Sequence, residues 1–311
     1  PHALDRRRRR GRRGGGGGLR DPGRVVVAVA QQEDRERGDD QDGDLLWLRD
    51  AQGALAAVGE TDARRPLLAR LLRLAGDAYD EGVTAWSVSL YLNALLDVAD
   101  FYEGVGDGEG ANEALNWAMK VLVESEGQVD GDDVDVLAAA VRVHEAVAAW
   151  HAVRGYVGYA SELREHALAL TERIAVVDPG PNRPVHLADA RVELAKTRLA
   201  AGLPEEAEAL VEAALGELRA WLAQRGDAGV ESRLRDALDV AAHVASARGD
   251  ESAALAWFEE ALAIDRRHHD AAPGAPGMAR ALAHSLSRVA EQRARLGDLA
   301  GAWPAAREAV E

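Results

Sequence analysis

Leu238, Ala241, Ala242 and Ala245 recur at three- and four-residue spacing, which puts them on one face of an α-helix. Gly249 follows, where a left-handed residue ends a helix without a Cβ clash. Asp250 suits the N-cap of a second helix, and Glu251 favours its electropositive first turn. Ala254, Phe258 and Ala261 then line one face of that second helix. The pattern predicts two antiparallel helices. Small residues at Ala242, Ala254 and Ala261 let their axes approach, and Phe258 fills the space between successive units.

The same frame occurs five times. A glycine is followed five and twelve residues later by alanine and preceded seven residues earlier by a third alanine. The glycines are Gly106, Gly155, Gly202, Gly249 and Gly297, spaced 49, 47, 47 and 48 residues apart, and no frame position fails. An internal repeat of this period predicts stacked helix pairs in an all-α solenoid. Pro204 with Glu205 and Glu206 marks a helix start in the third unit, and Asp107 and Asp298 take the capping place in the first and fifth. Breaks between units are expected near 127–133, 178–184, 226–229 and 271–277, which are rich in Gly, Pro and Asp. Upstream, Leu45–Val58 and Pro66–Leu74 read as helical with Gly59 between them. The alanine frame fails there, with Gln52, Arg64 and Leu71 at its three positions. Residues 44–78 are therefore expected to form a degenerate capping pair ahead of about five repeats over 86–311.

These residues resemble the tetratricopeptide repeat (TPR), which carries small residues at the corresponding places and often glycine between its helices. The resemblance covers 86–311. Tyr102 and Phe258 fit its aromatic positions, but the family tyrosine is replaced at His151, Arg198, Ala245 and Arg293. The common unit has 34 residues. The longer period here is similar to long-unit variants in kinesin light chains and bacterial regulators. The resemblance implies a right-handed superhelix whose first helices line a concave face. It also implies a binding stripe thirteen, ten and six residues before each glycine. That stripe reads Asn93, Leu96 and Asp100; Arg142, Glu145 and Ala149; Asp189, Val192 and Lys196; Asp236, Asp239 and His243; and His284, Ser287 and Glu291.

Composition narrows the function. Residues 1–24 hold nine arginines against two acids, a charge of +7, so the remainder carries −23 of the net −16. Such a body disfavours nucleic-acid binding by the repeats, because phosphate contacts need a basic face. Residues 1–43 have no sustained apolar period, and an Arg run leads into five glycines, so they are expected to be a disordered tail. The six-residue apolar run Val25–Ala30 is too short for a secretion signal, and no stretch approaches eighteen consecutive apolar residues. With no cysteine and only Lys120 and Lys196 as lysines, the chain reads as a cytoplasmic protein from a GC-rich bacterium. It begins at Pro1 rather than methionine, which fits a fragment.

The catalytic and metal motifs along the chain are incomplete. His144-Glu145 begins like a zinc-protease helix, but Ala148 stands where the second histidine belongs. His144 and His151, two turns apart, read as packed or exposed residues rather than metal ligands. His268-His269-Asp270 reads as a solvated linker, and Gly104–Gly110 as a flexible repeat turn. Asp130–Asp135 lacks the calcium-loop order. The seven tryptophans are expected mostly in the core.

The expected function is a non-enzymatic, cofactor-free scaffold that takes a protein or peptide partner on its concave face, away from any membrane. The alternative is a sensor module of a larger bacterial signalling or transcriptional regulator. At the C-terminal end, Leu299, Ala302, Ala306 and Val310 form an apolar face, and Pro304 disfavours a long helix. The last helix is expected to start near Trp303. The end is expected to fray, or to be covered by self-association or a further segment.

Overall fold

The computed structural model describes residues 61–310, together with Leu48, Gln52 and Gly53. The tail 1–43 and most of the first capping segment lie outside these residues. Among the described residues there are eleven helices and no strand. They are α1 (Thr61–Glu81), α2 (Ala85–Gly104), α3 (Gly108–Ser125), α4 (Val134–Val153), α5 (Val157–Val177) and α6 (Arg183–Ala200). Then come α7 (Pro204–Arg225), α8 (Ala228–Ala247), α9 (Glu251–Ala271), α10 (Pro276–Arg295) and α11 (Leu299–Glu308). Each packs against the next along the chain, so α2/α3, α4/α5, α6/α7, α8/α9 and α10/α11 are five stacked pairs.

The turn inside each pair is set by its glycine. All five frame glycines have φ between 77° and 85°, the left-handed region that a Cβ penalises. Gly249 N–H donates to the Ser246 carbonyl at 3.0 Å, and Asp250 N–H donates to the Ala245 carbonyl at 2.9 Å. This Schellman pair of bonds recurs at the other four glycines. The next helix is then capped. Asp107, Asp250 and Asp298 each accept a backbone N–H at 2.9 Å from the residue three further on. Tyr156 and Leu203 hold that place in the other two units without a side-chain cap, and α7 begins on Pro204 instead.

Fourteen of the fifteen frame alanines are buried, and Ala309, at the C-cap of α11, is half-buried. The frame is therefore the packed surface of the stack. Phe258 is buried with Ala242, Leu286, Val289 and Ala305, between the fourth and fifth units. In the degenerate upstream pair the frame survives in polar form. Gln52 and Arg64 stand where two alanines belong, and Arg64 donates to the Gln52 side-chain carbonyl at 3.3 Å. The Gln52 amide in turn donates to Asp97 of α2 at 3.1 Å.

The apolar core is not continuous. One cluster runs from Leu48 and α1 to Ala160 and Leu163 on α5. The next begins at Val185 on α6 and extends to Ile264. Between α5 and α6 the link is polar. Arg164, 8 % exposed, reaches Glu145 of α4 at 3.3 Å and Glu193 of α6 at 3.0 Å. It also donates to the Glu193 backbone carbonyl at 2.9 Å and to the Thr197 hydroxyl.

Several expectations need correction. α1 begins at Thr61 and ends at Glu81, well beyond 66–74 at both ends, and it holds Pro66 in its second turn. α11 begins at Leu299 rather than Trp303, because Asp298 caps it there and Pro304 is carried inside its ten residues. His268 and His269 form the last turn of α9, not a linker, and His268 meets Glu231 of α8 at 3.0 Å. Trp86 and Trp303 are 52 % and 72 % exposed, so they are not core residues. Finally, α4 is long and apolar enough by composition to cross a membrane. Its apolar residues serve packing in part, with Val136, Val143 and Val147 buried among α2, α3 and α5.

Candidate functional site

The stripe residues lie on α2, α4, α6, α8 and α10, the first helices of the five units. First helices touch across units: α2 packs on α4, and α6 on α8. Second helices of neighbouring units make no such packing among the described residues. They are tied by exposed ion pairs instead, Arg219–Glu260 at 2.7 Å and Arg266–Glu308 at 2.8 Å.

Where first helices touch, the thirteen-before residues make contacts across units. Arg142 of α4 donates to the Asn93 side-chain carbonyl of α2 at 2.5 Å. Asp189 of α6 is paired with Arg233 of α8. Asp100 is exposed and faces Arg64 of α1 at 3.4 Å. Lys196 meets Glu193 at 2.5 Å, Asp236 meets Arg235 at 3.1 Å, and Glu291 meets Arg295 at 3.0 Å, all local pairs on their own helices. His284 and Ser287 are exposed on α10. Leu96 and Val192 are buried, Leu96 in the first apolar cluster and Val192 in the second, so neither offers an open binding surface. At the ten-before position the apolar residues join the core, whereas Ser287 is exposed.

Asp239 and His243 form a second polar group, 3.6 Å apart one turn along α8. Burial raises the Asp239 carboxyl, but the His243 hydrogen bond and charge, with Arg288 and His284 of α10, outweigh it and hold the group below its ordinary value. The His243 ring stands edge-on to Phe258 at 5.4 Å.

A concavity lies where two first helices part. α4 and α6 do not pack on each other as α2 and α4 do, and a cavity of about 500 Å³ opens between them over α5. Its lining includes three predicted residues, Arg142, Glu145 and Asp189. It also includes Ala138, Val141, Thr171, Ile174, Arg183, His186, Ala190 and Glu193, which the stripe does not contain. Burial raises the Glu145 carboxyl above its ordinary value; Arg164 lowers it only in part, and Glu193 raises it further. Burial lowers His186, and Arg183 and Arg233 lower it further, so the ring is neutral near pH 7.

The histidines singled out by sequence do not converge on a metal. His144 Nδ1 contacts the Ala140 carbonyl at 2.8 Å, whereas His151 packs edge-on against Trp150, Tyr156 and Tyr159. Among the described residues no group of three His, Cys, Asp or Glu is placed to hold a metal ion.

No family model and no curated protein matches the chain. Solved structures do. BtubC (BKLC) from P. vanneervenii is matched over 78 % of this chain and 89 % of that one, at 18 % identity and a TM-score of 0.55. A putative kinesin light chain from Podosopora anserina, with nearly identical TPR-like repeats, is matched over 70 % and 92 %, at 20 % identity and a TM-score of 0.52. The fold is a TPR-like helical solenoid. The apo form of RapI is matched over 85 % of this chain and 64 % of that one, at 10 % identity and a TM-score of 0.59. At these identities the TPR-like likeness is one of backbone architecture. The site residues are this chain's own.

Proposed function

We propose that the chain is a non-enzymatic protein-interaction scaffold that holds an extended segment of a partner along the layer of first helices. That layer is taken as the concave wall of the solenoid. The observation that carries the reading is the cavity between α4 and α6, which opens among stripe residues of two consecutive units. A groove of polar groups with an intervening apolar pocket suits an extended peptide, whose backbone needs donors and acceptors and whose side chains need slots. The net charge of −16 directs the partner away from nucleic acid. A cysteine-free chain suits a cytoplasmic setting. The same surface would serve a sensor module within a larger bacterial regulator.

The test is selection of displayed peptides on the full chain, followed by calorimetry of the selected peptides with the chain and with Asp189→Arg and Arg142→Glu variants. The expected result is at least a tenfold loss of affinity in one or both variants with unchanged melting. Peptides that bind both variants as tightly as the parent would place their site elsewhere and overturn the reading.

A further inference from the structure

About 500 Å³ is room for one long side chain with space around it. The walls of the α4–α6 cavity are of two kinds. Val141, Ile174 and Ala190 make an apolar slot, and Glu145, Asp189 and Glu193 bring three carboxylates. Both arginines of the lining are engaged outside it. Arg142 donates to Asn93, while Arg183 holds the Asp178 carboxylate and donates to its carbonyl at 2.9 Å. Asp189 is paired with Arg233, and Glu193 with Arg164 and Lys196.

Glu145 is different. Its Oε2 accepts from Arg164 Nε at 3.3 Å, but its Oε1 is shielded from solvent and meets no donor. A buried acceptor without a donor costs about 1–3 kcal/mol, more when charged. Glu145 lines the cavity, and its terminal carboxylate torsion is soft. We propose that this cavity receives a lysine or arginine side chain of the bound segment, with its stem against Val141 and Ile174 and its cationic head on Glu145. The proposal rests on the peptide-scaffold reading above. The Glu145 carboxyl is raised mainly by burial, with Glu193 adding to the rise and Arg164 and Lys196 offsetting it only in part, so a further cation there is favoured. Neutral His186 adds no competing cation.

The probes are n-butylammonium and n-butylguanidinium, with butanol and butyrate as neutral and anionic controls of the same stem. Each is titrated into the full chain to millimolar concentration, and the Ile174 methyl signal is followed by NMR. The cations are expected to shift it and the controls to leave it in place. Glu145→Gln is expected to weaken the cations at least tenfold. Ala138→Trp, at an exposed rim position, is expected to abolish the shift with the helical signal intact. Butanol or butyrate binding as well as the cations, no cation shift at all, or an unchanged response in Glu145→Gln would each overturn the proposal.

A second arm separates this proposal from the scaffold reading. Each lysine and arginine of a selected peptide is changed in turn to glutamine. One of them is expected to cost tenfold or more in affinity to the parent chain, and little to Glu145→Gln. A selected peptide indifferent to every such change overturns the basic anchor and leaves the scaffold standing. Cation binding with no peptide ever selected overturns the partner segment as the source of the cation.

Discussion

Arg164 stands nine residues after its turn glycine, where the other four units carry Leu115, Val211, Phe258 and Ala306. A charge at that apolar place was the signal in the sequence for the polar link between α5 and α6. The stripe positions alone do not reveal it, because they lie on first helices only. Thr197 repeats the signal five residues before Gly202, where the first, second and fourth units carry Phe101, Trp150 and Val244. Replacing Arg164 by leucine strands Glu145 and leaves Glu193 to Lys196 alone. Breaking such a buried pair costs on the order of 3–5 kcal/mol, and the lower end is expected because both carboxylates are partly exposed. Urea denaturation should show that loss, and adding Glu145→Gln should recover part of it. Additive or larger loss in the double variant would contradict the charge argument. At this junction the pH dependence turns on Glu145. Its folded value lies above the ordinary 4.5, so its contribution to stability is full below 4.5 and is lost as pH rises through the folded value. Glu145→Gln should therefore gain on the parent between pH 4.5 and 7, and a difference flat across that range would refute the assignment.

At the scale of the element, the helix pairs were legible because glycine φ and alanine volume are strict demands that sequence cannot disguise. Gly249 has φ 82° and open space around its missing Cβ, so alanine there meets only the left-handed backbone penalty, about 1–2 kcal/mol. Ala242 is fully buried, and leucine there overpacks the pair at a cost of about 1–3 kcal/mol. Thermal melts of the two variants should both fall. A melt unchanged in Ala242→Leu would mean that the frame is not a packing surface. Helix ends were less legible. The last turn of α9 contains His268 because Glu231 on α8 reaches it, a tertiary partner that local composition does not announce. α11 starts early because its aspartate cap outweighs Pro304. That helix remains the weakest element. Leu299, Trp303 and Val310 are exposed, and Pro304 removes a bond. Residues 299–310 should exchange amide hydrogens much faster than residues 251–271 in dilute monomer, and equal protection would show that α11 is held as firmly as α9.

At the scale of the molecule, period and frame fixed the architecture, while the site depended on a departure from the period. The α4–α6 cavity exists because two consecutive first helices part, and nothing in the repeat spacing marks that place. Repeat solenoids are linear arrays of intrinsic and nearest-neighbour energies, so a single interface has a mechanical meaning. Here the α5–α6 junction lies between two apolar clusters and is bridged by the buried Arg164. Bending of the stack at that junction would widen or narrow the α4–α6 cavity, because the cavity lies between the first helices on its two sides. If the proposed side chain is seated there it would act as a wedge, and occupancy and curvature would become one variable.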